Sequence, residues 1–319
     1  MDALDQAAAA IDRSELVALA CHVSPDGDAL GSMLAMHFLC RAQGKPSIAS
    51  WPEPFVVAPH YTYLPGLDSV TKPVDFPAAP PLMVTFDCGS LDRLNELADP
   101  ARAAAQLIVV DHHATNDNYG TINVVDIDAA ASALLVYRLA KRLGWALDRD
   151  AALCLYTGIV TDTGRFQYSN TTSEVLDMAA ELSRFDLPIA AMSRQLFEEH
   201  RFAYLQLAAA ALQRAQLDGP RRFVATWVTG DDLERFGVDL DEVEGLIDLV
   251  RRTAEAEVSC VLKEADDGTR VSLRSVSDVD VAAIATRFGG GGHKAAAGFT
   301  DPRPIPQVLA EIRAQLPLR

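Results

Sequence analysis

The sequence is short of the features that mark several common protein classes. Its five cysteines, Cys21, Cys40, Cys88, Cys154 and Cys260, are odd in number and widely spaced, with no C-x-x-C pair. That argues against a disulfide frame or zinc ribbon and fits small apolar residues of a reducing compartment. No apolar stretch reaches the ~18 uncharged residues that a membrane-spanning helix needs. The acidic, alanine-rich start MDALDQAAAAIDRSE lacks the basic end and apolar run of a secretory signal. A cytoplasmic protein with no membrane partner is therefore expected. Basic residues are scarce, with 28 Lys and Arg against 44 Asp and Glu and a net charge of −16. So little positive surface does not suit a grip on long duplex nucleic acid, nor the tracking of a long single strand. The deficit is also uneven: 13 basic against 17 acidic residues from position 220 onward, and 15 against 27 before it. The more acidic part can still handle a phosphate where metal ions neutralise its carboxylates.

What is present is ordinary globular material, 49% apolar and 23% charged over 319 residues. At ~150 residues per domain this is enough for two domains. Leu16–Cys21 is a short apolar run ending in a polar loop, followed by a helical pattern over Ala29–Ala42 that Gly44 closes. Pro81–Cys88 and Gln106–Asp111 repeat the theme of a buried strand running into acidic or histidine residues. Amphipathic helices fit Ser132–Leu143, Arg149–Val160 and Ser173–Phe185. This alternation predicts an α/β fold, a doubly wound and mostly parallel sheet, in which ligands gather beyond the carboxyl ends of strands. Residues 186–218 read as helical and charged, breaking at Asp218-Gly219-Pro220. After them come a strand at Phe223–Thr229, a hairpin of Val258–Lys263 and Thr269–Arg274 about Asp267-Gly268, and helices at Leu240–Arg251, Val279–Phe288 and Ile305–Leu316. The expected organisation is a domain over 1–185, a helical connector over 186–219 and a smaller α/β domain over 220–319. The N-terminal alanine run is expected to be a low-complexity linker.

Three polar clusters fall at the predicted strand ends. The first holds His22, Asp26 and Asp28 within seven residues, with Pro25 and Gly27 between them. Carboxylate oxygen beside imidazole suits a divalent ion such as manganese, while Pro-Asp-Gly is also ordinary turn and helix-cap chemistry. The second is Asp111-His112-His113 after the run LIVV, where packing alone seldom calls for adjacent histidines. The third is the pair Asp87 and Asp162, each directly after apolar residues. Glu198-Glu199-His200 reads as a solvated helix face, His37 and His60 as structural, and Asp126 and Asp128 as loop residues. Phe223, Trp227 and Tyr168 read as packing.

In order along the chain, H-V-S-P-D-G-D-A-L-G-S, T-F-D-C-G-S-L-D-R-L, V-D-H-H and T-D-T-G-R-F resemble the DHH phosphoesterase superfamily. Ser272-Leu-Arg274-Ser and the segment from Arg287 through Gly289–Gly292, His293 and Lys294 to Gly298 resemble its DHHA1 substrate-binding domain. Length and motifs are most similar to the branch of oligoribonucleases and phosphoadenosine-phosphate phosphatases.

The resemblance implies two divalent metal ions, Mn²⁺ with Mg²⁺ or Co²⁺ as alternatives. One would be held by His22, Asp26 and Asp87, the other by Asp28, Asp87, His112 and Asp162, so that Asp87 bridges. It also implies in-line attack of a bridging hydroxide on a short nucleotide substrate: an oligoribonucleotide of a few residues, a linear or cyclic dinucleotide, or a 3′,5′-bisphosphate nucleoside. His113 is assigned with Asp87 to catalysis, at the phosphate or the leaving group. Arg93, Arg274, Gly290, Gly291, Gly292, His293 and Lys294 are assigned to substrate binding. The glycines allow close backbone approach and the arginines offer a planar fork to phosphate. A homodimer is implied because relatives are often dimers. An inorganic pyrophosphatase and a non-catalytic nucleotide sensor are the alternatives.

Overall fold

A computed structural model describes residues 2–318, which pack as two compact units divided between Glu198 and Glu199. The first unit runs α1 (Ala3–Arg13), β1 (Val17–Cys21), α2 (Gly27–Ala42), β2 (Ser47–Ser50), β3 (Met83–Phe86), α3 (Ala98–Ala103), β4 (Leu107–Asp111) and β5 (Ile122–Val125). It continues with α4 (Ser132–Leu143), α5 (Arg149–Asp162), α6 (Ser173–Leu182) and α7 (Ile189–Phe197). The five strands are all parallel, in the order β2-β1-β3-β4-β5.

β1, β3 and β4 read VALAC, MVTF and LIVVD and are buried at every position. Such unbroken apolar runs belong to parallel strands covered on both faces. The strand order reverses between β1 and β3, and at such a reversal a crevice opens beyond the carboxyl ends. His22 follows β1 and Asp87 follows β3, so both emerge there.

The start of α2 is brought beside the end of α5 by two glycines. A Cβ at position 31 would lie 2.4 Å from the Cys154 carbonyl oxygen, and one at position 158 would lie 2.7 Å from Asp28 Oδ1. Only hydrogen at these positions lets the two buried helices approach so closely.

Local structure departs from the sequence expectations in several places. The alanine-rich start is the helix α1, capped by Asp2 and burying Ala7, Ala8, Ala10 and Ile11. Alanine is the best helix former, and one face of this run has a core to join. α2 begins two residues before the expected Ala29, because Asp26 caps it, and α5 runs on to include Asp162. β2 and β5 are short strands that the sequence reading passed over. No helix among the described residues is long and apolar enough to cross a membrane.

The second unit contains α8 (Phe202–Gln213), β6 (Gln216–Asp218), β7 (Phe223–Val228), α9 (Gly230–Phe236), α10 (Leu246–Val250) and β8 (Val258–Ala265). After these come β9 (Gly268–Ser275), α11 (Val281–Thr286), β10 (Gly291–His293), β11 (Ala296–Asp301) and α12 (Ile305–Gln315). Its six-stranded sheet has the order β10-β11-β9-β8-β7-β6, and only β7 and β8 are parallel neighbours. One face packs on α11 and α12, and part of the other on α8 and α10.

The hairpin turn falls at Asp266-Asp267, with Ala265 opposite Gly268, one residue earlier than expected. The expected helix over Leu240–Arg251 is broken into a 3-10 turn and α10, with Gly245 at the break. The four-glycine run leads into the sheet. Gly291 and Gly292 enter the edge strand β10, and a Cβ at position 290 would lie 2.3 Å from the Gly298 carbonyl oxygen.

Within this unit Arg214 donates to Asp232 Oδ1 at 2.8 Å and ties α8 to α9. The Arg214 guanidinium outweighs burial and holds the Asp232 carboxyl down at about 2. A depressed carboxyl stabilises the fold above its unfolded pKa of ~3.9, and that contribution fades as pH falls towards the folded value. Asp232→Asn is expected to cost about 1–3 kcal/mol at neutral pH. Urea titrations should show the gap from the parent narrowing as pH drops below ~4. A gap that stays constant with pH would refute this account.

Candidate metal centre

Seven side chains meet at the carboxyl end of the parallel sheet. Asp26 caps α2 through Oδ1, which accepts from the Asp28 and Ala29 amides at 3.1 and 3.0 Å. That leaves Oδ2 facing His22 Nε2 at 4.0 Å. The cap and ligand readings of this aspartate are thus compatible, one oxygen serving each.

Asp28 is fully buried on the first turn of α2. Its Oδ2 accepts from the Ser132 amide at 2.6 Å and its Oδ1 from the Ala133 amide at 2.9 Å. The orphan donors at the start of α4 are satisfied by this carboxylate, since α4 has no side-chain cap of its own. Ser132 Oγ also donates to Asp87 Oδ1 at 3.1 Å. Asp87 has φ +52, a left-handed backbone that turns the chain sharply as it leaves β3.

The two oxygens of Asp87 face different neighbours. Oδ2 lies 3.5 Å from His22 Nε2, and Oδ1 lies 3.4 Å from His112 Nε2. His112 Nε2 is also 3.9 Å from Asp28 Oδ2 and 3.2 Å from Asp162 Oδ2. His22 Nδ1 stands 2.8 Å from the Val23 carbonyl and His112 Nδ1 stands 3.2 Å from the Ala129 carbonyl. With the proton on Nδ1, each ring would present its Nε2 lone pair towards the carboxylates, the orientation a metal ligand needs.

The donor set suits divalent ions. Ligands ~2.0–2.2 Å from one ion lie roughly 3–3.5 Å apart at usual bond angles, close to the separations found here. His22, Asp26 and Asp87 form one triad of convergent ligand atoms, and Asp28, Asp87 and His112 form another.

Electrostatics argue the same way. Burial, reinforced by Asp87 and Asp162, raises the Asp28 carboxyl well above the usual range. Burial pushes Asp162 up to about 6, against the pull of His112. Burial acts on Asp87 in the same sense, but His112 and His22 overcome it and hold its carboxyl well below the usual range. Burial opposes protonation of His112, yet hydrogen bonds to Asp162 and Asp87 push it up to about 12. Crowded buried carboxylates of this kind are neutralised either by protons or by bound cations, and the site suits both.

Asp111 carries no assignment from the sequence reading, although it opens the D-H-H triplet. It is fully buried at the end of β4 and accepts from His113 Nδ1 at 2.7 Å, from the His112 amide at 2.9 Å and from Asn116 Nδ2. His113 is half-buried beside it, and burial works against its protonation while Asp111 raises its pKa. Ser132, too, carries only the role of a helix start in the sequence pattern. A small polar residue after Ala129–Ala131, at the opening of a helix, was the available signal.

Arg93 is exposed on a 3-10 segment, its Nη2 3.0 Å from His22 Nδ1, on the side of the ring away from the carboxylates. Arg274 lies on β9 in the second unit. Its Nη1 donates to the Leu273 carbonyl at 3.0 Å, and its buried Nε finds no acceptor among the described residues. Gly290–Gly292 and His293 lie at the β10 edge, and Lys294 Nζ stands 3.8 Å from Asp278. His37 bonds Ser47 and Ser69 in the core, as its structural reading requires.

A sheet reversal with two convergent carboxylate and imidazole groups that share Asp87 is a candidate two-metal centre. Residues 16–159 match the DHH family, N-terminal domain, and residues 221–316 match the DHHA1 domain. The chain belongs to the DHH family of phosphoesterases. It is 33% identical over 290 residues to the bifunctional oligoribonuclease and PAP phosphatase NrnA of Thermus thermophilus, covering 88% of this chain and 83% of that one. It is 30% identical to the protein of the same name in Bacillus subtilis, covering 87% and 86%. The crystal structure of an exopolyphosphatase-related protein from Bacteroides fragilis shares the fold, with a TM-score of 0.89, 23% identity and coverage of 98% and 94%.

Proposed function

We propose that this chain is a Mn²⁺-dependent hydrolase of short nucleotides: oligoribonucleotides of a few residues, linear or cyclic dinucleotides and 3′,5′-bisphosphate nucleosides. The observation that carries the proposal is Asp87, whose two oxygens face separate ligand triads in the switch-point crevice. The names of the curated relatives, oligoribonuclease and PAP phosphatase, support the substrate class.

His22, Asp26 and Asp87 would hold one ion, and Asp28, Asp87, His112 and Asp162 the other. A pair of divalent ions there supplies water of lowered pKa and neutralises the charge of an incoming phosphate. Asp87 would serve both positions, while Ser132 holds the oxygen that faces His112. The hydrogen bond from His113 Nδ1 to Asp111 orients the ring and favours its protonated form, and only that imidazolium would have an Nε2–H to donate to a phosphate oxygen or the leaving group. The second unit, with Arg274, Gly290–Gly292, His293 and Lys294, would bind the nucleotide, and Arg93 would add a contact from the first. A cytoplasmic homodimer completes the proposal.

The test is kcat/KM over a panel of di- and trinucleotides, cyclic dinucleotides, 3′,5′-bisphosphate nucleosides and pyrophosphate, with Mn²⁺. Turnover confined to pyrophosphate, or binding without turnover, would overturn it. Asp111→Asn is expected to lower kcat about 10–100-fold with KM nearly unchanged, because it loosens His113 and leaves the substrate contacts alone. Loss of metal from that variant, measured by elemental analysis, would mean that Asp111 supports His112 instead.

A further inference from the structure

One face of the second unit's sheet is only partly roofed. Val224, Val228 and Val261 lie under α8 and α10, and past them β9 presents Arg270, Ser272 and Arg274, each half-buried. Ser272 lies opposite Val261 on β8 and Gly298 on β11, and Gly298 lies opposite Gly291 on β10. Beyond Val261 this row carries no side chain larger than serine, which makes a shallow trough across β9, β11 and β10. The neighbouring row runs from Arg274 to Ala296 to His293.

Lys263 belongs to the same face of β8, opposite Arg270, yet its side chain is only 2% exposed. Lysine is almost never buried unless it is paired. Its ammonium donates to Glu244 and, at 3.2 Å, to Ser272 Oγ. A serine hydroxyl has one proton to give and two lone-pair sites. Since Ser272 Oγ accepts from the lysine, its own proton points elsewhere, and it has no second partner among the described residues. Arg274 on the same strand face likewise holds a buried Nε with no acceptor.

We infer that Ser272 is a further substrate-binding residue that donates to a phosphate oxygen of the nucleotide beside Arg274, and that Lys263 is the positioning residue behind it. The inference rests on the reading of the second unit as the nucleotide-binding one. The buried ammonium polarises the serine O–H and bars it from turning inward, so the donor faces the glycine row. There a phosphate meets hydrogen where other residues would place a side chain.

Steady-state kinetics of dinucleotide hydrolysis by the full chain, with the Kd of a phosphorothioate analogue, test it. Ser272→Ala should raise KM and Kd about 10–100-fold with kcat nearly unchanged. Ser272→Thr, which keeps the hydroxyl, should stay near the parent. Lys263→Met should raise KM as far as Ser272→Ala does, and the double variant no further, because one residue acts through the other. Additive effects would overturn the positioning role. Should Lys263→Met fail to fold, the Ser272 pair decides the binding role alone. Arg274→Ala is the reference: if it raises KM while Ser272→Ala does not, this inference fails and the wider reading stands. If Arg274→Ala leaves KM unchanged as well, the reading of the unit fails.

Discussion

Asp87→Asn is expected to bind at most one divalent ion where the parent binds two, and to turn over a dinucleotide at least about 10³-fold more slowly. Asparagine is the informative replacement because residue 87 has φ +52, a region that asparagine tolerates and alanine does not. Structural damage is thereby kept apart from chemical loss. The expected effect is large because Asp87 alone faces both triads, Oδ2 towards His22 and Oδ1 towards His112. Asp26→Ala offers a graded comparison. That carboxylate is 53% exposed and serves one triad, so its loss should spare the second ion and cost about 1 kcal/mol of stability through the helix cap. Elemental analysis, kcat and a denaturation curve on both proteins decide the matter. Two retained ions and a parental rate in Asp87→Asn would sink the bridging assignment.

The second large effect separates chemistry from binding. His113→Ala is expected to keep both ions yet lose about 10²–10⁴-fold in kcat, the usual worth of a positioned proton donor or charge stabiliser. His293→Ala, on the edge strand of the second unit, should mainly raise KM for nucleotides. A nitrophenyl phosphate, which has no base, should register the loss of His113 far more than that of His293. The reverse pattern, or metal loss from the His113 variant, would show the roles to be misplaced.

Much of this site was legible before any coordinate. Buried parallel strands must end where backbone polarity meets water, and His22, Asp87 and Asp111-His112-His113 each follow such a run directly. The rest depended on partners distant in sequence. Asp28 and Ser132 are 104 residues apart, and no local pattern announces that the start of α4 rests on that carboxylate. Four consecutive glycines announce no secondary structure, because glycine weakens any local preference. What makes two of them an edge strand is the backbone of β11 alongside.

Residue order alone was enough to read the kinds of element, the candidate metal-binding side chains and the strand ends that carry them. Periodicity and residue type are local properties, and they survive without knowledge of what lies across the sheet. Tertiary structure alone decided which oxygen of Asp87 faces which histidine, that Asp111 holds His113, and that Lys263 is buried behind Ser272. Direction and burial of a side chain follow from strand register and helix packing, and those are settled only when distant segments meet.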